Sequence, residues 1–218
     1  MKKIWKNNGL SIVFFLLFIF SIIGQAITGL KQHNEEVTGE GGQAVEMKQY
    51  LQSGHFLQST FENWESEFLQ MALFVILSMF LYQKGSSESK DPDKKEEVDR
   101  EPNSRRRNVP WPVKKGGLAL AIYRHSLCYA LSLIFILSFL LHWYGSLKDY
   151  NEEQILKHHP TETALHYLSN SRMWFESFQN WQSEFLSVFA IVILSIFLRE
   201  QGSPQSKPVD APHSETGG

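Results

Sequence analysis

The chain of 218 residues contains the same sequence block twice. Phe-Glu-Asn-Trp-Glu-Ser-Glu-Phe-Leu at 61–69 returns as Phe-Gln-Asn-Trp-Gln-Ser-Glu-Phe-Leu at 178–186. Extended without a gap, this offset of 117 residues aligns 7–90 with 124–207 and pairs identical residues at 29 of 84 positions. Shared apolar composition does not produce that agreement. The sequence therefore predicts a tandem duplication, in which each copy is one supersecondary unit that packs against the other.

Apolar residues form four segments, with the charged residues between them: 10–27, 68–82, 118–143 and 185–198. A helix needs ~20 residues to cross the ~30 Å hydrocarbon core of a bilayer. The first and third segments reach this length by themselves. The second and fourth reach it only if the Asn-Trp-x-Ser-Glu motif before each is helical as well. We therefore predict an all-α fold, a four-span transmembrane helical bundle made of two parallel tandem repeats of two helices each.

The offset between the copies also sets the predicted boundaries. Repeat 1 covers 7–90 with spans at about 10–30 and 60–83, and repeat 2 covers 124–207 with spans at about 118–143 and 177–199. Ser59 and Glu62 have the spacing of a capping box at the start of the second span. The first span is similar to a secretory signal, but its counterpart lies in mid-chain, so we expect it to be retained.

Lysine and arginine are distributed unevenly around the predicted spans. Three precede the first span, ten lie in 83–117 and two lie at or after the end of the fourth span, against two in 31–60 and three in 144–177. The positive-inside rule then predicts a protein of the cytoplasmic (inner) cell membrane, with both termini and the central linker cytoplasmic. Linker 84–117 and tail 200–218 are too polar to bury a core, so we expect both to be disordered.

The linker ends in three arginines at 105–107 and a Pro-Trp-Pro sequence around Trp111. These arginines have two interpretations: they hold the linker on the cytoplasmic side, or they bind anionic lipid. Trp111 is also a predicted interfacial anchor, as are Trp64 and Trp181 of the repeated motif, because tryptophan is enriched where the membrane meets water.

The two loops that join the paired spans match in register. Each opens with Asn-Glu-Glu and later carries Tyr-Leu, at 34–36 and 50–51 in the first copy and at 151–153 and 167–168 in the second. Glycine, proline and small polar residues border 44–53 and 161–170. This pattern predicts a short helix in each outer loop.

Glu67 and Glu184 are equivalent glutamates that both copies keep inside a predicted span. An ionised group there costs ~2.5–3.5 kcal/mol on insertion scales, so it faces protein or water. The helical period predicts one polar stripe, formed by Asn63, Glu67, Ser78, Asn180, Glu184 and Ser195. The stripe is a candidate path for an ion or proton, or a site for a polar ligand. The alternative is interhelical hydrogen bonding that orients the bundle.

Several motifs also carry a resemblance to a known family. They are Phe-Glu-Asn-Trp-Glu-Ser-Glu-Phe-Leu-Gln at 61–70, Gly-Ser-x-Glu-Ser-Lys-Asp-Pro at 85–92, Pro-Trp-Pro-Val at 110–113 and the second motif at 178–186. The chain resembles, over nearly its whole length, an uncharacterised family of bacterial multi-pass membrane proteins, a domain of unknown function. The resemblance implies a four-span protein with both termini inside, and it brings no activity, ligand or catalytic residue.

Motifs for chemistry are absent from the sequence. There is no phosphate-binding loop, nucleophile elbow or zinc-protease helix, and the single cysteine, Cys128, excludes a cysteine metal pair. We therefore predict no catalytic residue, no metal, no cofactor and no enzymatic activity. The pattern favours a structural, interaction or assembly module. Its predicted partners are the lipid bilayer and a second copy or another membrane protein, but not nucleic acid. The alternative is a small transporter or channel that uses the polar stripe.

Overall fold

A computed structural model describes residues 2–217, and these residues contain helices and turns but no strand. The helices are α1 (Lys2–Gly39), α2 (Met47–Tyr50), α3 (Gly54–Leu77), α4 (Trp111–Lys115), α5 (Gly117–Arg124), α6 (Ser126–Leu156), α7 (Ala164–Tyr167) and α8 (Ser171–Phe197). A single 3₁₀ turn, Glu97–Asp99, lies in the described part of the linker. The all-α prediction is confirmed for this part of the chain.

Three of the described helices are long and apolar enough to cross a membrane: α1, α6 and α8. Helix α3 has 24 residues, which is also sufficient length at about 1.5 Å per residue. Every 18-residue stretch of α3 nevertheless contains Glu62, Glu65 and Glu67. The structure therefore supports three membrane-compatible helices, and the fourth span stays a prediction.

Helices α3 and α8 both begin earlier than the sequence predicts. Ser53 Oγ accepts a hydrogen bond from the Phe56 N–H at 3.1 Å, and Asn170 Oδ1 accepts one from the Arg172 N–H at 2.9 Å. Side chains of this kind stabilise the first helical turn, whose N–H groups have no partner within the helix. The two caps occupy equivalent positions in the copies. The predicted capping box at Ser59 is wrong, since Ser59 lies inside α3.

Helices α1 and α6 extend well beyond their apolar segments. With 38 and 31 residues they are about 57 Å and 46 Å long, against ~30 Å of hydrocarbon. Residues 31–39 and 148–156 form the polar ends of these helices, outside their apolar segments. Helix α6 begins later than the predicted third span, because the chain leaves the helix at His125, between α5 and α6.

The chain divides into two compact units: Met1–Glu62 with Phe139–Trp174, and Asn63–Ser138 with Phe175–Gly218. In the first unit, glycine lets two helices approach closely. A Cβ atom on Gly145 would lie 2.5 Å from the backbone nitrogen of Gln58, and one on Gly54 would lie 2.1 Å from that of Asp149. Gln25 adds a polar contact, because its Nε2 donates to the hydroxyls of Ser59 at 3.2 Å and Thr60 at 3.1 Å. Small residues and such hydrogen bonds are what hold helices together in lipid.

In the second unit, the segments that follow α3 and α8 adopt the same turn. Gly85 and Gly202 have φ angles of 90° and 86°. The hydroxyls of Ser89 and Ser206 accept the backbone N–H groups of Gln83 and Glu200, both at 2.9 Å. The repeated Gly-Ser-x-x-Ser-Lys sequence therefore supplies both the left-handed residue and the side chain that closes the turn.

The tail after α8 is fixed by Lys207, whose side chain is buried. Its ammonium group donates to the backbone carbonyls of Gly85, Glu215 at 2.8 Å, His213 at 3.2 Å and Pro212 at 3.3 Å. The sequence predicts disorder in this tail and in the linker, whereas the structure gives the described parts of both a set of turns. The physical reason is that side chains satisfy backbone groups without an apolar core.

Candidate functional site

A cavity of about 860 Å³ lies in the first unit, among the polar ends of the long helices. Its walls come from the end of α1, the start of α3, the end of α6 and the start of α8, together with the loop that carries α2. The volume lies within the range of about 300–1,000 Å³ that small-molecule sites occupy.

Two asparagines hold the loops that border this cavity. Asn34 Nδ2 donates to the Val45 carbonyl at 3.0 Å, and its Oδ1 accepts the Val45 N–H at 2.8 Å. Asn151 makes the same pair of contacts with the backbone of Glu162, at 3.0 and 2.8 Å. Each asparagine is the first residue of an Asn-Glu-Glu motif, so the matching motifs mark matching loop closures.

Each of these loops contributes a tyrosine to a cluster of aromatic and charged side chains. In the first copy, the ring centroid of His33 lies 5.5 Å from that of Tyr50 and 5.2 Å from that of His55. The equivalent cluster in the second copy contains Tyr150, whose ring centroid lies 5.3 Å from that of Tyr167 and 6.0 Å from the Arg172 guanidinium carbon. Tyr50 and Tyr167 are both fully buried.

The buried tyrosine hydroxyls find different partners in the two copies. Tyr50 hydrogen-bonds His55 Nδ1 at 3.1 Å and passes over Gly29, where a Cβ atom would lie 2.1 Å from the hydroxyl oxygen. Tyr167 instead hydrogen-bonds Ser146 Oγ at 2.7 Å. Burial, followed by the negative charges of Asp149 and Glu36, raises the pKa of Tyr50 to about 12, so its hydroxyl stays protonated.

Ion pairs line the wall of the cavity that the second copy provides. Arg172 binds both Asp149 and Glu153, with 2.8 Å between its Nη1 and Glu153 Oε2. Lys157 bridges Glu153 and Glu40, at 3.2 Å from the latter. The full lining contains two permanent cations, Lys148 and Arg172, against five carboxylates, Glu36, Glu40, Asp149, Glu152 and Glu153. The cavity is therefore electronegative.

Burial shifts three titratable groups of the cavity, all on the polar helix ends outside the apolar segments. It raises the pKa of Asp149, and the positive charge of Arg172 opposes that shift. It also raises the pKa of Glu152, where the positive charge of Lys148 opposes the shift. Burial lowers the pKa of His33, and the neighbouring His55 lowers it further. All three shifts follow from the cost of placing a charge where water is scarce.

The two halves of the cavity give an equivalent glutamate different partners. Glu153 contacts the Arg172 guanidinium, whereas the matching Glu36 accepts a hydrogen bond from neutral Gln32 Nε2 at 2.9 Å. The residue equivalent to Arg172 is His55. The first copy thus presents a carboxylate and imidazoles where the second copy has a carboxylate and a permanent cation.

The predicted polar stripe lies in the second unit, and its glutamates meet. The carboxyl groups of Glu67 and Glu184 lie close enough to interact electrostatically. Asn63 and Glu67 are exposed, and Asn180 Nδ2 donates to the Glu176 carbonyl at 3.0 Å.

The serines of the stripe lie apart from this pair. Ser195 is buried and shares a 2.9 Å hydrogen bond with Ser86, while Ser78 is half-buried and donates to the Val75 carbonyl at 3.2 Å. The structure therefore brings the two glutamates together, but it divides the serines between a loop contact and a contact with the end of α3.

The buried face of α3 carries Glu65 and Ser66 instead of the predicted residues. Glu65 is fully buried and accepts a hydrogen bond from Trp181 Nε1 at 3.0 Å. Of the three predicted interfacial anchors, Trp111 is exposed, while Trp64 and Trp181 are half-buried. A search for repeated polar residues misses Glu65, because the equivalent residue in the second copy is Gln182.

The cavity itself was not predicted. Its charged residues His55, Asp149 and Arg172 have different residues at the equivalent positions, so a search for repeated polar residues passes over them. The available signal was the Asn-Glu-Glu motif, which repeats in full and whose third residue, Glu36 or Glu153, lines the cavity.

These features define an all-helical chain with three membrane-compatible helices and an electronegative cavity at their polar ends. The chain belongs to the family described as Domain of unknown function (DUF6766), whose match covers residues 1–218. The predicted resemblance to a family of unknown function is thereby confirmed. Comparison with curated proteins and with solved structures finds no match for the chain.

Proposed function

We propose that this protein is a membrane-embedded binding module that takes a positively charged organic ligand into the cavity of the first unit. This proposal is a more specific form of the interaction or assembly module that the sequence favours, and it involves no enzymatic step. The supporting arrangement has four spans in two parallel repeats, in a cytoplasmic membrane with both termini inside. Under that topology the cavity opens to the outside, since its residues come from 31–60 and 144–177.

The proposal rests on the difference in positive charge between the two halves of the cavity. In the second copy the Arg172 guanidinium lies between Asp149 and Glu153. The first copy has Glu36 at the position equivalent to Glu153 and the weak base His55 at the position equivalent to Arg172. A ligand with a guanidinium or ammonium group supplies the missing cation there, and Val37, Val45 and Ile155 supply an apolar wall for its alkyl part.

Calorimetry with the full-length protein in nanodiscs tests this function. The probes are butylguanidinium and butylurea, which have nearly the same shape but differ by one positive charge. We expect saturable binding of butylguanidinium and none of butylurea. Glu36→Gln should weaken butylguanidinium binding about tenfold, or 1.4 kcal/mol.

Glu35→Gln provides the matched control, because Glu35 is the neighbouring glutamate and does not line this cavity. It removes the same charge from the same helix and should leave the affinity unchanged. Equal binding of the two probes, binding of neither, or equal affinity in wild-type protein and Glu36→Gln would each reject the proposed ligand class.

The proposed topology has a separate test. Single cysteines in a Cys128→Ser background report which side of the membrane each position faces. Residues 87 and 214 should label only after permeabilisation, while residues 34 and 151 label in intact cells. External labelling at Ser87 would reverse the orientation and place the cavity inside.

A small transporter or channel is the second candidate. The proximity of the Glu67 and Glu184 carboxyl groups favours it, because neighbouring carboxyl groups within a membrane span can relay a proton. Proteoliposomes with a pH-sensitive dye in the lumen provide the assay. Proton flux that Glu67→Gln and Glu184→Gln each abolish would support this candidate, and equal leak in all three proteins would reject it.

A further inference from the structure

The segment that leads into the third span carries positive charge without compensation along the sequence. Its basic residues are Arg105, Arg106, Arg107, Lys114, Lys115 and Arg124, and no aspartate or glutamate lies between 102 and 148. Among the residues that the structure describes, Arg124 alone of these has an acidic partner from the preceding linker, Glu101, at 2.9 Å. The three consecutive arginines are exposed.

Large apolar side chains of the same segment are exposed as well. Trp111 on α4 is 64% exposed, and Leu118 and Ile122 on α5 are 83% and 60% exposed. Leu118 and Ile122 are four residues apart and therefore lie on one face of α5. The Lys115 ammonium lies 4.8 Å from the centroid of the Trp111 ring, so a basic and an aromatic group form one surface.

We propose that residues 105–124, which we call the basic interfacial segment, bind the anionic headgroups of membrane lipids. Trp111, Leu118 and Ile122 enter the boundary between headgroups and acyl chains, while the arginines and lysines contact the phosphates. Charge and apolar surface together identify the occupant. An anionic leaflet offers both negative headgroups for the basic residues and acyl chains for the exposed apolar groups. A zwitterionic leaflet lacks the net negative charge, and an acidic protein surface lacks the acyl chains. Direct continuation of α5 into the apolar helix α6, across His125, keeps the segment next to the bilayer.

This function is distinct from a signal for orientation during insertion. An orientation signal acts once, during insertion, and it requires no preference among lipids afterwards. A lipid-binding segment keeps a preference in the mature protein. Nanodiscs separate the two roles, because both faces of the bilayer are accessible and the orientation of the protein no longer matters.

The experiment uses Trp111 as the reporter of which lipid lies beside it. Full-length protein is placed in nanodiscs of phosphatidylcholine with about 20% phosphatidylglycerol, and bromine is carried on the acyl chains of one lipid or of the other at equal mole fraction. The signal is the difference in quenching between the wild-type protein and Trp111→Phe. This subtraction removes the contribution of the five other tryptophans. We expect brominated phosphatidylglycerol to quench this signal severalfold more than brominated phosphatidylcholine.

Removing charge should weaken the preference. A basic residue near an anionic surface strengthens attraction about fivefold, so substitution of Arg105, Arg106 and Arg107 by glutamine should sharply reduce the difference in quenching between the two lipids, while Lys114 and Lys115 keep part of it. Substitution of Lys84, Lys94 and Lys95 by glutamine is the matched control, since it removes the same charge from an acidic part of the linker. That control should keep the wild-type preference.

Two results would overturn the proposal. Equal quenching of wild-type Trp111 by both lipids would show that the segment does not select anionic headgroups. The absence of Trp111 quenching by either lipid would show that the segment does not contact the bilayer. Loss of the preference in the lysine control would also count against it, because the effect would then follow net charge and not the basic interfacial segment.

Discussion

The ion pair between Arg172 and Asp149 makes a quantitative prediction about the stability of the first unit. Arg172→Gln removes the guanidinium and leaves Asp149 in a place where burial already raises the pKa of its carboxyl. Breaking a buried pair costs about 3–5 kcal/mol. The side chains of Arg172 and Asp149 are 30% and 15% exposed, so water screens part of the loss. We expect a decrease of about 2–3 kcal/mol in the free energy of unfolding.

Reversible unfolding in mixed micelles measures this change, with Lys31→Gln as the control. Lys31 pairs with Glu35 at 3.8 Å, and both side chains are mostly exposed, so its loss should cost at most about 0.5 kcal/mol. Adding Asp149→Asn to Arg172→Gln removes the unpaired carboxylate and should restore much of the stability. Together with Asp149→Asn alone, the double variant completes a cycle that isolates the interaction between the two groups.

The pH dependence gives an independent check on the same reasoning. A carboxyl group whose pKa is raised in the folded state binds protons more readily when folded, so its penalty grows as pH rises. Arg172→Gln should therefore lose more stability at pH 8 than at pH 5. A loss below about 0.5 kcal/mol, a loss that does not change with pH, or a double variant no better than Arg172→Gln would refute the argument.

Three further predictions follow from other contacts. Gly145→Ala should destabilise the first unit by about 1–3 kcal/mol in the same unfolding assay, because its Cβ would lie 2.5 Å from the Gln58 backbone nitrogen, whereas Gly24→Ala meets open space and should be nearly neutral. Butylguanidinium should bind more weakly as pH falls below about 6.5. Burial lowers the pKa of His33 and raises that of Asp149; protonation of His33 adds positive charge to the cavity, and protonation of Asp149 removes negative charge. An affinity that stays constant in calorimetry between about pH 5.5 and 7.5 would contradict this prediction. If Glu67 and Glu184 form a proton path, infrared difference spectra between pH 5 and 8 should contain a carboxylic-acid band that disappears in the double Gln variant, and carboxylates that stay ionised throughout would exclude it.

Parts of this fold were predictable because local chemistry fixes them. The repeated Asn-Glu-Glu motif correctly marked matching loops, since Asn34 and Asn151 close them through the same backbone contacts. The apolar segments marked α1 and α6 because hydrocarbon demands long uninterrupted helices. The helix starts at Gly54 and Ser171 were missed, since their caps, Ser53 and Asn170, are different residues and a search for identity ignores them.

The candidate site was less predictable because it depends on differences between the copies. A search for repeated polar residues finds Glu67 and Glu184, and these do interact. It does not find Arg172 or Asp149, whose meeting depends on how the end of α6 approaches the start of α8. That approach is a tertiary property, and neither the helical period nor the spacing of the motifs contains it.

The close approach of the Tyr50 hydroxyl to Gly29 limits which residues position 29 accepts. Serine occupies the equivalent position 146, where it hydrogen-bonds Tyr167, but a serine at position 29 would collide with the Tyr50 hydroxyl. A serine that fits at position 146 therefore fits at position 29 only if the Tyr50 side chain moves. At this contact the two equivalent positions are not interchangeable, although the sequence blocks around them match.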